Sequence, residues 1–156
     1  MPYMKRRDFL KASAAAVVVT STCLCGLNGC ATFTKKGNTM AIKPEALGRK
    51  GNKLLIDLSR EPLLARAGGA VKIINEYIPQ GIIVAHTEDN TYHIASLLCP
   101  HRGVEVDYDH KNKRFECASL GSSTFALGGE NVKGPAKKPL QRYEASVQGN
   151  MLAITI

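Results

Sequence analysis

Two cysteines that follow strand-like segments constrain the fold of this chain more than any other feature. Cys99 ends one run of strand-forming residues, and His101 stands two positions further on. Cys117 ends a second run of strand-forming residues. The strand that follows the Cys99 segment precedes this run, and a polar turn lies between the two. The sequence therefore predicts two loops, each of which presents a thiol directly after a strand.

The rest of the chain from residue 53 onwards has the pattern of an all-β domain. Leu54 and Ile56 alternate with other side chains, residues 88–91 form a four-residue hairpin signal, and Gly149-Asn150 forms a two-residue one. No long segment has helical periodicity after residue 31, although residues 61–67 could form one short helical turn. We expect an antiparallel sandwich or partly open barrel over residues 53–156, with a tether over residues 31–52.

The residues around the two cysteines resemble the Rieske iron–sulfur family. The two motifs of that family are C-x-H and C-x-x-H; the second usually continues with Gly-Ser and Phe or Tyr, and a Gly-Pro-Ala turn follows. The matching residues occur here in the same order: Cys99, His101, Cys117, Gly121, Ser122, Phe125 and Gly134-Pro135-Ala136. The resemblance covers roughly residues 53–156 and implies a Rieske-type all-β fold with a two-loop cluster-binding subdomain.

The resemblance also implies a set of ligands for a [2Fe–2S] cluster. In the family each loop gives one cysteine and one histidine, so that two thiolates hold one iron and two imidazoles hold the other. Cys99, His101 and Cys117 match three of these ligands, and Ser122 matches a serine that bonds the cluster region.

The fourth ligand of the family has no counterpart at its usual position. Leu120 stands where the second histidine is expected, and its side chain has no donor atom. One extra residue also separates Gly121 from Phe125, so the second loop is rebuilt. The other histidines are interpreted as strand or surface residues: His86, His93 and His110. We therefore expect an incomplete ligand set and doubtful cluster occupancy.

Cys99 and Cys117 admit a second interpretation. In the fold implied by the resemblance their sulfur atoms share one iron, so without iron they could form a disulfide, provided that the Cα separation and orientation are suitable. The domain would then be a cluster-free structural or interaction module.

The first thirty residues have the pattern of an export signal. Arg6-Arg7 precedes an uncharged, mostly apolar run over residues 12–27, which resembles a bacterial twin-arginine signal. The segment from Leu27 to Cys30 resembles a lipobox, in which the cysteine is lipidated after cleavage. The main alternative is an uncleaved N-terminal anchor. Both place the domain in the bacterial periplasm, tethered to the membrane.

Together these features predict a protein that transfers electrons. The resemblance implies a carrier, or a small subunit of a membrane-associated redox complex, that exchanges electrons with a membrane donor or a c-type cytochrome and is not an enzyme by itself. Residues 1–30 carry +3 of the net charge of +8, and the +5 of the remaining residues suits acidic proteins or anionic head groups. Nucleic acid is not expected as a partner, because the basic residues are scattered and no nucleic-acid motif accompanies them.

Overall fold

Short β-strands make up most of the regular structure in the computed structural model, which describes residues 37–156. Within these residues the chain has one 3₁₀ turn, at Pro44–Ala46, and no α-helix. In chain order the strands are β1 (Met40–Ala41), β2 (Leu47–Lys50), β3 (Lys53–Asp57), β4 (Ala70–Asn75), β5 (Ile78–His86), β6 (Tyr92–Ser96), β7 (Val106–Asp109), β8 (Arg114–Cys117), β9 (Thr124–Ala126), β10 (Asn131–Lys133), β11 (Arg142–Tyr143), β12 (Ala145–Gln148) and β13 (Met151–Thr155).

The strands form three sheets. A five-stranded sheet has the order β1-β4-β5-β6-β11, and two four-stranded sheets have the orders β10-β9-β8-β7 and β12-β13-β3-β2. All strand pairs are antiparallel except β1 with β4, which are parallel. The prediction of an antiparallel all-β fold is confirmed, and the described sheets are open and do not close into a barrel.

Strand β5 is buried on both faces and lies between two hydrophobic cores. Ile82 and Val84 pack with residues of β3, β4 and β13, whereas Ile83 and Ala85 pack with residues of β7, β8 and β9. Side chains alternate between the two faces of a strand, so an uninterrupted apolar run supplies both cores. The second of these cores contains Cys99 and Cys117. The five-stranded sheet is therefore the platform on which the two cysteine loops are built.

The predicted turns and hairpins lie where the sequence placed them. Residues 88–91 connect β5 with β6, residues 110–113 connect β7 with β8, and Gly149-Asn150 connects β12 with β13. Residues 61–67 form a single turn, in which the amide of Ala65 donates to the carbonyl of Glu61 at 3.2 Å.

The folded domain starts earlier than the predicted boundary at residue 53. Residues 40–50 of the expected tether form β1, the 3₁₀ turn and β2, and β2 pairs with β3. Upstream of β1, the amide and hydroxyl of Thr39 both donate to Asp107 at 2.8 Å. These strands are short and mostly exposed, so they lack the alternating pattern by which the sequence reveals a strand.

Residues 37–156 include no helix that is long and apolar enough to cross a membrane. The predicted export signal and lipobox, residues 1–30, lie outside the described residues.

Candidate metal centre

The first cysteine loop is a tight turn between β6 and β7. The amide of Cys99 donates to the carbonyl of Val104 at 2.8 Å, and the amide of Gly103 donates back to the carbonyl of Cys99 at 2.8 Å. Gly103 has a φ of 66°, in the left-handed region that a glycine adopts without strain. His101 lies inside this turn, so its position is tied to that of Cys99.

The second cysteine loop lies beside the first because β7 and β8 are paired. Val106 stands opposite Cys117 in this ladder, and the amide of Ala118 donates to the carbonyl of Glu105 at 3.0 Å. The amide of Cys117 donates to the carbonyl of Ser123 at 2.8 Å, which closes the loop over residues 118–122. The structure thus brings the two predicted thiol loops together at one end of the hairpin.

The two thiols are buried next to each other. Cys99 is 1% exposed and Cys117 is 3% exposed, and neither forms a disulfide. Burial raises the pKa of the Cys99 thiol, and the neighbouring Cys117 thiol raises it further. The backbone amide of His101 and the hydroxyl of Ser123 oppose this shift by hydrogen bonding to Cys99. The thiol of Cys99 is therefore favoured over the thiolate unless a cation or further donors stabilise the charge.

His101 and Leu120 have opposite environments. The Nδ1 atom of His101 is buried and has no hydrogen-bond partner among the described residues. Because an unpaired buried nitrogen is costly, this atom is available as a ligand. Leu120 is 94% exposed and points its apolar side chain into solvent, next to the exposed Gly121.

The serine that approaches Cys99 is Ser123. Its hydroxyl is fully buried, accepts a hydrogen bond from the amide of Ala136 at 3.0 Å and lowers the pKa of Cys99. Ser122, the serine predicted for this region, is exposed. The extra loop residue explains the difference: Ser122 follows Gly121 directly, but Ser123 lies two positions before Phe125. The inward serine is the one that lies two positions before the buried Phe125, and not the one that directly follows Gly121.

Ser119 is a second serine beside the thiols, and neither cysteine motif singles it out. Its Oγ atom lies 3.2 Å from the Sγ atom of Cys117, so each thiol has one serine hydroxyl beside it. Ser119 lines a cleft of about 270 Å³ next to Cys117. Two carboxylates, Asp107 and Glu116, border the same cleft.

The turn at residues 134–136 supports the second loop directly. A Cβ atom on Gly134 would lie 2.5 Å from the Cα of Ser123 and 2.7 Å from the carbonyl oxygen of Ser122. No side chain larger than hydrogen fits this approach, and Gly134 has a φ of 98°. The Gly-Pro-Ala segment is thus a third wall of the site as well as a turn.

The remaining histidines lie away from the two loops. His110 is in the turn between β7 and β8, at the opposite end of the hairpin from Cys117. His86, at the end of β5, stacks on Tyr92, the first residue of β6. His93 lies in β6 and contacts the backbone of Leu127. This placement agrees with their interpretation as strand or surface residues.

Residues 65–144, which contain both loops and the supporting turn, match the family described as the Rieske [2Fe-2S] domain. The chain belongs to this family. The Rieske domain therefore occupies about half of the chain, and the resemblance of the cysteine motifs is confirmed at the level of the family.

Individual Rieske proteins show the same relationship. The chain is 35% identical over 57 residues to the Bacillus subtilis protein YhfW, which is named as a Rieske 2Fe-2S iron-sulfur protein. That match covers 36% of this chain and 11% of YhfW, so this chain spans about a tenth of its curated relative.

Two solved structures are also similar. The plasma membrane Rieske protein PetC3 of the cyanobacterium Synechocystis PCC 6803 is 25% identical, with a TM-score of 0.49 over 56% of this chain and 87% of that chain. The ferredoxin of carbazole 1,9a-dioxygenase from Nocardioides aromaticivorans IC177 is 18% identical, with a TM-score of 0.49 over 58% of this chain and 86% of that chain.

The donors present do not make up the four-ligand set of a Rieske cluster. The thiols of Cys99 and Cys117 suit one iron, and the orphaned Nδ1 of His101 suits the other, but Leu120 offers no fourth donor. No group of three or more His, Cys, Asp or Glu side chains within residues 37–156 is close enough to hold a metal ion. The Rieske domain implies a [2Fe–2S] cluster, and the donors that the two described loops offer are the thiols of Cys99 and Cys117 and the Nδ1 atom of His101.

Proposed function

We propose that this Rieske domain protein transfers electrons as a carrier or as a small subunit of a redox complex. One observation carries the proposal: two buried thiols and an orphaned imidazole nitrogen lie on adjacent loops of a domain whose family binds iron and sulfide. Leaving a buried nitrogen unpaired does not help a purely structural turn. An iron–sulfur cluster on such loops would supply a centre that can be reduced and reoxidised.

The contribution of the chain itself is to hold the donors and limit access of water. Backbone hydrogen bonds close each loop, and the Phe115 and Phe125 side chains, both fully buried, lie in the core that contains Cys99 and Cys117. The hydroxyl of Ser123 and the amide of His101 favour the thiolate of Cys99. The hydrogen bonds that close each loop hold these groups in place, which reduces the cost of ordering the site.

The location and partners are part of the same proposal. Arg6-Arg7 with its apolar run, and Cys30 in a lipobox-like segment, support a periplasmic domain tethered to the membrane. A membrane redox complex or a c-type cytochrome is the partner that such a location suits. The net charge of +5 on residues 31–156 would attract a partner with an acidic surface.

The test is the iron and sulfide content of protein purified without oxygen. We expect bound iron and acid-labile sulfide, and an electron paramagnetic resonance signal after reduction. Cys99→Ser, Cys117→Ser and His101→Ala should each lose iron. His110→Ala is the matched control, because His110 lies at the far end of the hairpin and should leave the iron content unchanged. Colourless wild-type protein without iron or sulfide, even after reconstitution, would contradict the proposal.

A second function is favoured by one observation, the exposed Leu120 at the position of a ligand. A cluster-free Rieske fold would then serve as an interaction module, with Cys99 and Cys117 joined as a disulfide. The same purified protein distinguishes the two functions, because the second requires that iron is absent and that both thiols are consumed.

A further inference from the structure

We propose that Cys99 and Cys117 form a two-coordinate site for copper(I). This inference goes beyond the proposed function, because it needs only the two thiols and neither His101 nor an iron–sulfur cluster. Copper(I) and iron would compete for the same two sulfur atoms, so that one molecule of the protein holds one metal or the other at these positions.

The first argument is the number of donors. The two thiols are neighbours in one buried core, and residues 37–156 contain no group of three or more His, Cys, Asp or Glu side chains that could hold a metal ion. A structural zinc ion takes four protein ligands, and so does a Rieske cluster. Copper(I) is a soft ion that prefers thiolates, and two of them are sufficient to coordinate it. Copper(I) is therefore the metal that matches the donors of this pair of loops.

The second argument is the apolar environment of the thiols. Both cysteines lie in a core whose other buried members include Val104, Phe115 and Phe125. Copper(II) prefers tetragonal coordination by nitrogen and oxygen donors, which apolar side chains do not provide. Two sulfur atoms in such a core therefore select copper(I) over copper(II).

The third argument is the stabilisation of the charge that the complex carries. Each thiol loses its proton when it binds, so one copper(I) ion and two thiolates together carry one negative charge. A buried charge is costly unless hydrogen bonds accompany it. The Oγ atom of Ser119 lies 3.2 Å from the Sγ atom of Cys117, and the amide of His101 and the hydroxyl of Ser123 favour the thiolate of Cys99. Each thiolate therefore has at least one donor that stabilises it.

The fourth argument is that a metal ion has a path to the thiols. A cleft of about 270 Å³ opens beside Cys117 and Ser119, and Asp107 and Glu116 line it. Carboxylates that line a cleft raise the local concentration of cations. Cys117 is thus the first thiol that an ion entering through this cleft would meet.

The experiment is a titration of the full-length protein with copper(I) in the absence of oxygen. The protein is freed of iron, is kept reduced by a reagent that is not a thiol, and carries Cys23→Ser, Cys25→Ser and Cys30→Ser, which leaves Cys99 and Cys117 as its cysteines. We expect one copper ion per chain, an ultraviolet charge-transfer band from thiolate to copper, and no electron paramagnetic resonance signal. X-ray absorption should show two sulfur neighbours of the copper ion.

Variants of this background protein test the role of each donor. Cys99→Ser and Cys117→Ser should each lose the ultraviolet band and yield their copper to a chelator of copper(I). His101→Ala should keep one copper ion per chain, although the proposed function expects it to lose iron. Ser119→Ala should bind copper(I) about ten- to a hundredfold more weakly, because the thiolate of Cys117 loses its neighbouring hydroxyl. Ser146→Ala is the matched control: Ser146 is exposed in β12, and its loss should leave the affinity unchanged.

The outcomes separate this inference from the proposed function. No copper binding by the reduced background protein would refute the copper site and leave the iron test unaffected. One copper ion per two chains, a nitrogen neighbour in the X-ray absorption spectrum, or loss of copper in His101→Ala would also overturn the two-coordinate site. Copper binding by a protein that never takes up iron would support the site while the proposed function fails. Circular dichroism checks folding, and if a cysteine variant does not fold, the sulfur neighbours in the background protein still decide the result.

Discussion

The hydroxyl of Ser123 accepts a hydrogen bond from the backbone amide of Ala136 at 3.0 Å, and this bond joins the second cysteine loop to the turn that supports it. Both groups are buried, so water cannot replace the bond if it is broken. The same hydroxyl also lowers the pKa of the Cys99 thiol. One buried side chain thus joins the second loop to its supporting turn and acts on the thiol of the first loop.

We expect Ser123→Ala to destabilise the domain by about 1–3 kcal/mol, because it leaves the buried amide of Ala136 without a partner. Urea denaturation measures this change. Ser122→Ala is the matched control: the neighbouring serine is exposed, and its loss should cost less than about 0.5 kcal/mol. Equal losses in the two variants would show that Ser123 has no special part in joining the loops.

Cys99 and Cys117 are expected to form a disulfide in iron-free protein from an oxidising compartment. The thiols are buried neighbours, and the bridge would close a loop of about 18 residues, for which chain entropy predicts a stabilisation of roughly 3 kcal/mol less any strain. Alkylation of the unfolded, non-reduced protein, followed by mass spectrometry, counts the free thiols. Two alkylated cysteines at these positions would exclude the bridge.

Lys72 and Glu105 form an ion pair that ties the five-stranded sheet to the first cysteine loop. Their Nζ and Oε2 atoms are 2.6 Å apart, each side chain is 15% exposed, and Glu105 also accepts from the amide of Gly37 at 3.0 Å. Lys72→Met leaves a largely buried carboxylate without its cation, so we expect a loss of about 1–3 kcal/mol.

The control for the Lys72 variant is an exposed ion pair. Lys113 pairs with Glu88 at 2.9 Å, and more than half of each side chain is exposed. Lys113→Met should cost much less than Lys72→Met, because solvent screens an exposed ion pair. Thermal or urea unfolding of both variants tests the comparison, and a Lys72→Met protein as stable as Lys113→Met would contradict it.

His93 should make the domain less stable as the pH falls. Burial is the main cause that lowers the pKa of His93 in the folded protein, with Arg142 adding to the shift while Asp89 and Leu127 oppose it. The folded state therefore favours the neutral ring, so this contribution is present above the unfolded pKa of about 6.5 and is lost as the pH falls through the folded value. We expect His93→Gln to lose less stability than wild type between neutral and mildly acidic pH. Denaturation midpoints with the same pH slope in both proteins would refute this role.

Cys30 is expected to attach the protein to the membrane. In cells that express the full-length chain, wild type should fractionate with membranes, whereas Cys30→Ser should lose lipid labelling and be released or kept as an uncleaved precursor. Cys25→Ser is the matched control, because Cys25 precedes the predicted cleavage site. Wild type that is soluble in the cytoplasm would rule out both the lipobox and the export signal.

The sequence by itself determined the fold class and the family, and it predicted an incomplete ligand set. The fold class and the family could be predicted from the strand patterns after Lys53 and from the two cysteines that follow strands. Alternation and turn residues are local properties, so the sequence alone shows them. The absence of a donor at Leu120 is equally local, because coordination chemistry depends on which side chain is present.

Tertiary structure decided which loop serine faces the thiols and where the domain begins. An extra residue between Gly121 and Phe125 leaves two ways to align the loop, and contact with the turn at residues 134–136 selects Ser123 as the buried serine. Likewise β1 and β2 acquire their structure from pairing with β4 and β3 and from the hydrogen bonds of Asp107, and not from their own pattern. Both the buried serine and the start of the domain depend on contacts with residues that are distant in the sequence. Local sequence patterns therefore do not reveal them.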